Sequence, residues 1–259
     1  MYNDGIYCIL DIDSIIWITA YNHRDNEDVD LVLQDTDKYI TTLLDNTAAT
    51  YYAGFIGGTK CFRYQISPTY KANRPPSPDW YLKWSGIIKA HLRDEWKFQV
   101  VNGIEADDAV CIYQTWCREN NKNSVMCHGD KDLYQIEGNH YDIRKHTRKY
   151  VSIEEGYRNL YKQSVKGDAT DSIVGLYGAG EKFVNKLLDP LNRWEDMNTA
   201  CAQAFINKHG DIKGLELYNE MYTLCKLLTH SNELPITWSE YKIEVSAEEP
   251  EIDLTGIWD

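Results

Sequence analysis

Short apolar runs alternate with longer amphipathic stretches through the first half of a 259-residue chain. "IYCIL" (6–10) predicts a buried strand ending in Asp11, and "ATYYAGFI" (49–56) predicts a second from its aromatic and β-branched content. "KFQVV" (97–101) and "NSVMCHG" (123–129) predict a third and a fourth. Between them the pattern predicts an amphipathic helix near 35–46, a capped helix from Ser77 in "SPDWYLKWSGIIKAHL", and a helix opened by "GIEADDAV" that runs to about Glu119. Residues 22–38 are polar and acidic and read as a loop, and "SPTYKANRPPSPDW" (67–80), with four of the seven prolines, excludes regular structure. "HYDIR" and "KYVSI" (140–144, 149–153) read as a hairpin, and the pattern beyond about 154 is helical. The alternation implies an α/β fold, a mostly parallel central sheet flanked by helices, followed by a smaller helical region.

The predicted strands run into acids. Asp11 follows the first, Glu105, Asp107 and Asp108 the third, and Asp130 and Asp132 ("HGDKDLYQI") the fourth. Strand ends on one edge of an open α/β sheet form its binding crevice, so six carboxylates are expected to converge there. One or two acids at a helix mouth serve as caps. Three repel one another, a cost tolerated where a cation sits among them. "VKGDATDSIVGLYGAGEK" (165–182) adds Asp168 and Asp171, then Gly175, Gly178 and Gly180 before a helix, where bare N–H groups can approach a phosphate and Lys182 can assist. Two further residues read as structural: Asp13 as the N-cap of a helix beginning near Ile15, and His128 as a core histidine, since Mg²⁺ prefers oxygen ligands.

Composition is that of a globular protein, with 43% hydrophobic and 12% aromatic residues. The seven cysteines form no CxxC pair and read as reduced thiols in a cytoplasmic setting. No apolar run is long enough to span a membrane, and "MYNDGIYCILDID" lacks the basic start of a signal peptide. The net charge of −13 is unexpected for a nucleic-acid protein. Two bound divalent ions would bring it to about −9. Basic residues cluster locally, in "YKANR" (70–74), in "IRKHTRKY" (143–150) and around Lys166, Lys182 and Lys186.

The order of Asp11, YKANR, GIEADD, GDKDL and a GD-x-x-D followed by a glycine hairpin resembles the 5′-nuclease family over roughly residues 6 to 190. That family comprises flap endonucleases, phage stand-alone 5′→3′ exonucleases and the 5′-nuclease domain of bacterial family A DNA polymerases. The resemblance implies a PIN-like nuclease core over 1–153 with an arch segment at about 65–95, and a helical region over 154–259 carrying a helix-hairpin-helix and a C-terminal tail. It implies two divalent ions, Mg²⁺ or Mn²⁺, the first held by Asp11, Glu105, Asp107 and Asp108, the second by Asp130, Asp132, Asp168 and Asp171. Lys71 and Arg74 would contact the scissile phosphate, and Tyr70 would stack on a terminal base. Gly175, Gly178, Gly180 and Lys182 would hold duplex DNA, with K⁺ at the hairpin. The implied substrate is DNA with a 5′ end, flap or nick, or an RNA/DNA hybrid at a primer. The chain would act as a monomer alongside replication proteins, in the host cytoplasm if phage-encoded, as its stand-alone length suggests. The tail "SAEEPEIDLTGIWD" (246–259) would dock a replication partner or pack on its own domain.

There are departures. Ile56 stands where the family carries an Asp at the end of the second strand, and Val174 where it commonly has Pro. Two rival readings follow from other features: a catalytically impaired structure-specific DNA-binding protein, from the lost Asp, and a haloacid-dehalogenase-like phosphatase, from the D-x-D of "ILDIDSII". The second gives no account of GIEADD or the glycine hairpin.

Overall fold

The computed structural model describes residues 5–233, so the tail 246–259 lies outside the described residues. Strand β1 (Ile6–Asp11) leads directly into α1 (Ile12–Asn22); α2 (Val29–Thr47) and β2 (Ala49–Cys61) follow. A short α3 (Arg63–Ile66) and an irregular segment precede α4 (Asp79–Asp94) and β3 (Gln99–Gly103). Next come α5 (Ala106–Glu119), β4 (Asn123–His128), a 3-10 turn at Asp132–Gln135, and the hairpin β5 (Gly138–Asp142) and β6 (Thr147–Val151). Helices α6 (Ile153–Lys166), α7 (Glu181–Leu188), α8 (Trp194–His209) and α9 (Asp211–Cys225) complete the described chain.

The sheet order is β3-β2-β1-β4-β5-β6, parallel throughout except for the final β5–β6 pair. Successive side chains of β1 point to opposite faces. Cys8 and Leu10 meet Ile12, Ile16, Ile40, Trp84 and Ile88 from α1, α2 and α4, whereas Tyr7 and Ile9 meet Val110 and Cys111 of α5. A third cluster joins α6 to α9 through Leu160, Val165, Val184, Met197, Phe205 and Leu224. All seven cysteines are buried thiols.

Helix α2 begins at Val29, six residues before the predicted start, inside the stretch read as a loop. The Asp28 carboxylate caps it by accepting from the Leu31 N–H at 3.1 Å, and Asp30 favours the positive end of the helix dipole. Its buried stripe is Val32, Thr36, Ile40, Leu43 and Thr47, and both threonines hide their polarity by donating to the Val32 and Leu43 carbonyls. The acids that suggested a loop are the outer face of the helix. Asp13 is not the N-cap of α1; that role belongs to Asp11, which accepts from the Ser14 N–H. Strand β2 runs to Cys61, past the predicted end, and the hairpin sits two residues earlier than predicted.

Candidate active site

The carboxyl edge of the sheet delivers Asp11 from β1, Glu105, Asp107 and Asp108 at the start of α5 after β3, and Asp130 and Asp132 after β4. Opposite them, the loop at 67–74 docks on the loop at 168–173. The Lys71 N–H donates to the Asp171 carbonyl at 2.9 Å, and the Asn73 N–H to Ser172 Oγ at 3.0 Å. Lys71 (φ 58) and Ser172 (φ 60) both adopt left-handed backbone, a strain of roughly 1–2 kcal/mol each that such junctions hold in place. The result is a cleft of about 100 Å³ lined by Glu105, Asp107, Asp130, Asp132, Asp168 and Asp171, with Lys71, Arg74 and Lys131 among them.

Its first wall is built on Arg63, whose side chain is 1% exposed. All five guanidinium N–H groups are used. Nε donates to the Leu224 carbonyl (3.0 Å), Nη1 to Glu105 Oε2 (3.1 Å) and Asp108 Oδ2 (2.7 Å), and Nη2 to Asp108 Oδ1 (2.8 Å) and the Lys226 carbonyl (2.7 Å). Glu105 also accepts from Tyr70 Oη at 2.8 Å and from Lys71 Nζ. Burial works to raise the Glu105 carboxyl, but Arg63 and Lys71 outweigh it and hold it below the usual range. Arg74 pairs with Asp171 at 2.5 Å and Lys131 with Asp168 at 3.0 Å. Asp168 is held low by Lys131 against the effect of burial.

The other acids make no such pairs. Burial pushes the Asp11 carboxyl up to about 7, with Asp13 and Asp130 adding to it and Ser14 opposing. Asp107 is pushed well up by burial and then by Asp11, Asp130 and Glu105. Burial and Asp130 raise Asp132 to about 6, although Gln163 donates to it at 2.9 Å.

Residues 13–166, more than half of the chain, match the family described as 5′-3′ exonuclease, N-terminal resolvase-like domain. The chain belongs to this family. DNA polymerase I of Mycobacterium tuberculosis is 28% identical over 167 residues, 58% of this chain and 18% of the polymerase. That of Thermus aquaticus is 24% identical over 193 residues, 70% of this chain and 21% of the polymerase. The chain therefore spans about a fifth of these relatives. Among solved structures, the T5 D15 protein co-crystallised with metal ions superposes with a TM-score of 0.60 at 14% identity, covering 85% of this chain and 100% of that one. A T5 D15 flap endonuclease complex with DNA and metal ions gives 0.58 at 13% identity, covering 85% and 99%. These share the fold of this 5′-3′ exonuclease-family chain.

Two expected roles fail on geometry. Asp108, expected as a metal ligand, is fully buried. Its Oδ1 accepts from Arg63 and the Leu228 N–H (3.0 Å), and its Oδ2 from Arg63 and the Glu105 N–H (3.0 Å), which fills all four lone-pair positions. It anchors α5 and the chain after α9. Tyr70, expected to stack on a base, is 3% exposed with its ring in the helical core and its hydroxyl on Glu105, so no ring face is offered. The phosphatase reading is set aside by the family match, which is to 5′-3′ exonucleases. Asp11 is 2% exposed, and Ser14 donates once to each of its oxygens, Oγ at 2.5 Å and N–H at 3.3 Å, which leaves a lone pair on each.

Gly175 has φ +66 and packs so closely on Gly167 that a Cβ would lie 2.4 Å from its nitrogen, making it a structural position. Gly178 (φ +83) and Gly180 are open, and Gly180 precedes α7, where Lys182 is exposed. His128 is core, 1% exposed, with Nδ1 2.6 Å from the Asp130 carbonyl. Ile56 is fully buried against the Trp84 side of the sheet and faces no cleft. Asp13 stands near the place of the missing acid: its Oδ2 accepts from the Gly57 N–H at 3.1 Å, and its Oδ1 lies 3.5 Å from Lys89 Nζ with no hydrogen-bond partner among the described residues.

Sequence reasoning missed Arg63, Gln163 and Lys131. Arg63 carries no local signal, because Glu105, Asp108 and Leu224 lie 42, 45 and 161 positions away. Gln163 has no local signal, because its link to Asp132 spans 31 positions.

Among the described residues no group of three or more His, Cys, Asp and Glu side chains is arranged to hold a metal ion. The donors nevertheless suit hard divalent ions in kind. They are carboxylate oxygens, and Asp11, Asp107 and Asp132 are raised first by desolvation and then by one another's and Asp130's charge, both costs that a cation relieves.

Proposed function

We propose that the chain is a metal-dependent 5′-nuclease that hydrolyses phosphodiester bonds near the 5′ ends of DNA, as a 5′→3′ exonuclease or flap endonuclease. The observation that carries this is the meeting of six carboxylates with Lys71 and Arg74 around one small cleft. Asp11, Glu105 and Asp107, with Asp13 beside them, would hold one ion; Asp130, Asp132, Asp168 and Asp171 would hold the other. Such ions supply an activated water and neutralise charge building on the phosphate.

The rest is the work of this chain's own groups. Lys71 and Arg74 now neutralise Glu105 and Asp171. A substrate phosphate entering beside them offers the same charge and takes over these cations, which then stabilise the additional negative charge of the transition state. Arg63 cannot exchange, since every donor is committed within the protein. It fixes Glu105 while Lys71 moves. The open hairpin at Gly178 and Gly180, with Lys182, would hold duplex through backbone groups, with K⁺ at its carbonyls. Flaps, nicks and RNA primer ends are the substrates to compare.

The test is release of short products from 5′-labelled flap or nicked duplex DNA in Mg²⁺, abolished by EDTA and by Asp130→Asn. Wild-type protein that binds the flap yet leaves it intact in both Mg²⁺ and Mn²⁺ would be a structure-specific binder instead.

A further inference from the structure

One acid at the carboxyl edge of the sheet has no settled partner. Asp13 lies in the first turn of α1, two positions after Asp11, and its side chain reaches across to the end of β2, where Oδ2 accepts from the Gly57 N–H at 3.1 Å. Its Oδ1 is shut off from solvent and accepts no hydrogen bond among the described residues; the charge facing it is Lys89 Nζ of α4, 3.5 Å away. A shielded carboxylate oxygen that accepts nothing is costly and calls for a reason.

The chain makes room for this arrangement. A Cβ on Gly57 would lie 2.4 Å from Asp13 Oδ2, and the three atoms nearest to that point all belong to the Asp13 carboxylate. The Gly57 backbone is outside the left-handed region, so the glycine is required by the acid beside it and not by its own φ. Asp13 thus fills the ground next to Ile56, whose side chain is turned into the core. It is close enough to Asp11 for its charge to add to the upward push on that carboxyl.

Lys89 is a weak match for Asp13. Its Nζ also donates to the Gly57 carbonyl at 3.1 Å, and the lysine and aspartate side chains are 34% and 41% exposed, so the pair contributes little in water. We propose that Asp13 is one of the carboxylates that hold the first divalent ion, and that Lys89 keeps its place while the ion is absent. The proposal rests on the nuclease reading of the cleft and adds to it the group that takes the part of the missing second-strand acid. Mg²⁺ binds carboxylates directly or through the waters it keeps, and groups that orient those waters tune its affinity, so an acid beside the cleft lining contributes. The rival is a structural staple, in which Asp13 and Lys89 only grip Gly57 from either side to tie α1 and α4 to β2.

The experiment titrates Mn²⁺ into the ion-free full chain without DNA, read by calorimetry, with melting curves in EDTA alongside. A parallel titration of Asp132→Asn, which removes a carboxylate of the other ion, separates the two binding steps. Asp13→Asn keeps an oxygen for the Gly57 N–H and is expected to weaken binding of the first ion about 10- to 100-fold, with no fall in melting temperature. Moving the carboxylate to β2, with Asp13→Ser and Gly57→Asp together, is expected to recover most of that loss. Lys89→Gln removes the competing cation and is expected to tighten Mn²⁺ binding roughly two- to fivefold. Wild-type affinity in Asp13→Asn overturns the proposal, and a lowered melting temperature with it establishes the staple; the nuclease reading then still stands on wild-type cleavage of flap DNA. A wild type that binds no Mn²⁺ and cleaves nothing overturns both.

Discussion

Two sets of carboxylates lie in or behind the cleft and are built on opposite electrostatic plans. Glu105, Asp108, Asp168 and Asp171 are neutralised by Arg63, Lys71, Lys131 and Arg74. Asp11 is buried, Asp107 and Asp132 are half-buried, and desolvation and neighbouring like charges push all three upward. The first set is settled before any ligand arrives and gives the site its shape. The second is poised against itself, and such stored repulsion is the usual mark of a site that awaits a cation.

The sharpest way to break this contrast is Asp107→Asn. Cleavage in Mg²⁺ should fall by about 10³-fold or more, since a lost ligand removes several kcal/mol of charge stabilisation. The ion-free protein should melt higher, because a repelling charge is gone; a lower melting temperature would remove Asp107 from the poised set. Arg63→Ala should do the reverse, costing about 3–5 kcal/mol in chemical denaturation by leaving Asp108 buried without its cation. Lys71→Ala, which leaves Arg63 on Glu105, should lower the cleavage rate by roughly 10²-fold with little change in denaturation midpoint.

A pH series separates the two sets in one protein. Raised carboxyls bind protons more tightly folded than unfolded, so their stabilisation is complete below the unfolded value near 4 and is lost as pH rises through about 6 for Asp132 and about 7 for Asp11. The ion-free melting temperature should carry this loss over that window, and the gain on adding Mg²⁺ should be larger at about pH 8 than at about pH 5. An equal gain at both would count against the second set as ligands. The smallest effect is expected from Gln163→Ala, which frees Asp132: roughly a tenfold loss of rate, about 1.4 kcal/mol, with weaker Mn²⁺ binding and unchanged folding.

How much of this was legible depended on range. The parallel sheet was readable because strand signals are local, and GIEADD and GDKDL were readable because each packs its acids within a few positions. Helix α2 was misread over its first turns because acids on a solvent face resemble a loop, and buried threonines that bond their own backbone resemble surface. Asp108 was misassigned for a different reason. Neighbouring positions on a helix's first turn point in different directions, and Asp107 faces the cleft while Asp108 faces Arg63, 45 positions earlier in the chain.

By itself the sequence determined the strand order's raw material, the inventory of acids and the chemistry those acids can support, since residue type and local periodicity are properties of short segments. Tertiary structure decided which carboxylates are neutralised and which are left to repel, and that Asp13, Gly57 and Lys89 meet at one place. The physical reason is that charge acts through space. Burial and the nearest opposite charge set a carboxylate's role, and both come from segments that the chain keeps far apart until it folds.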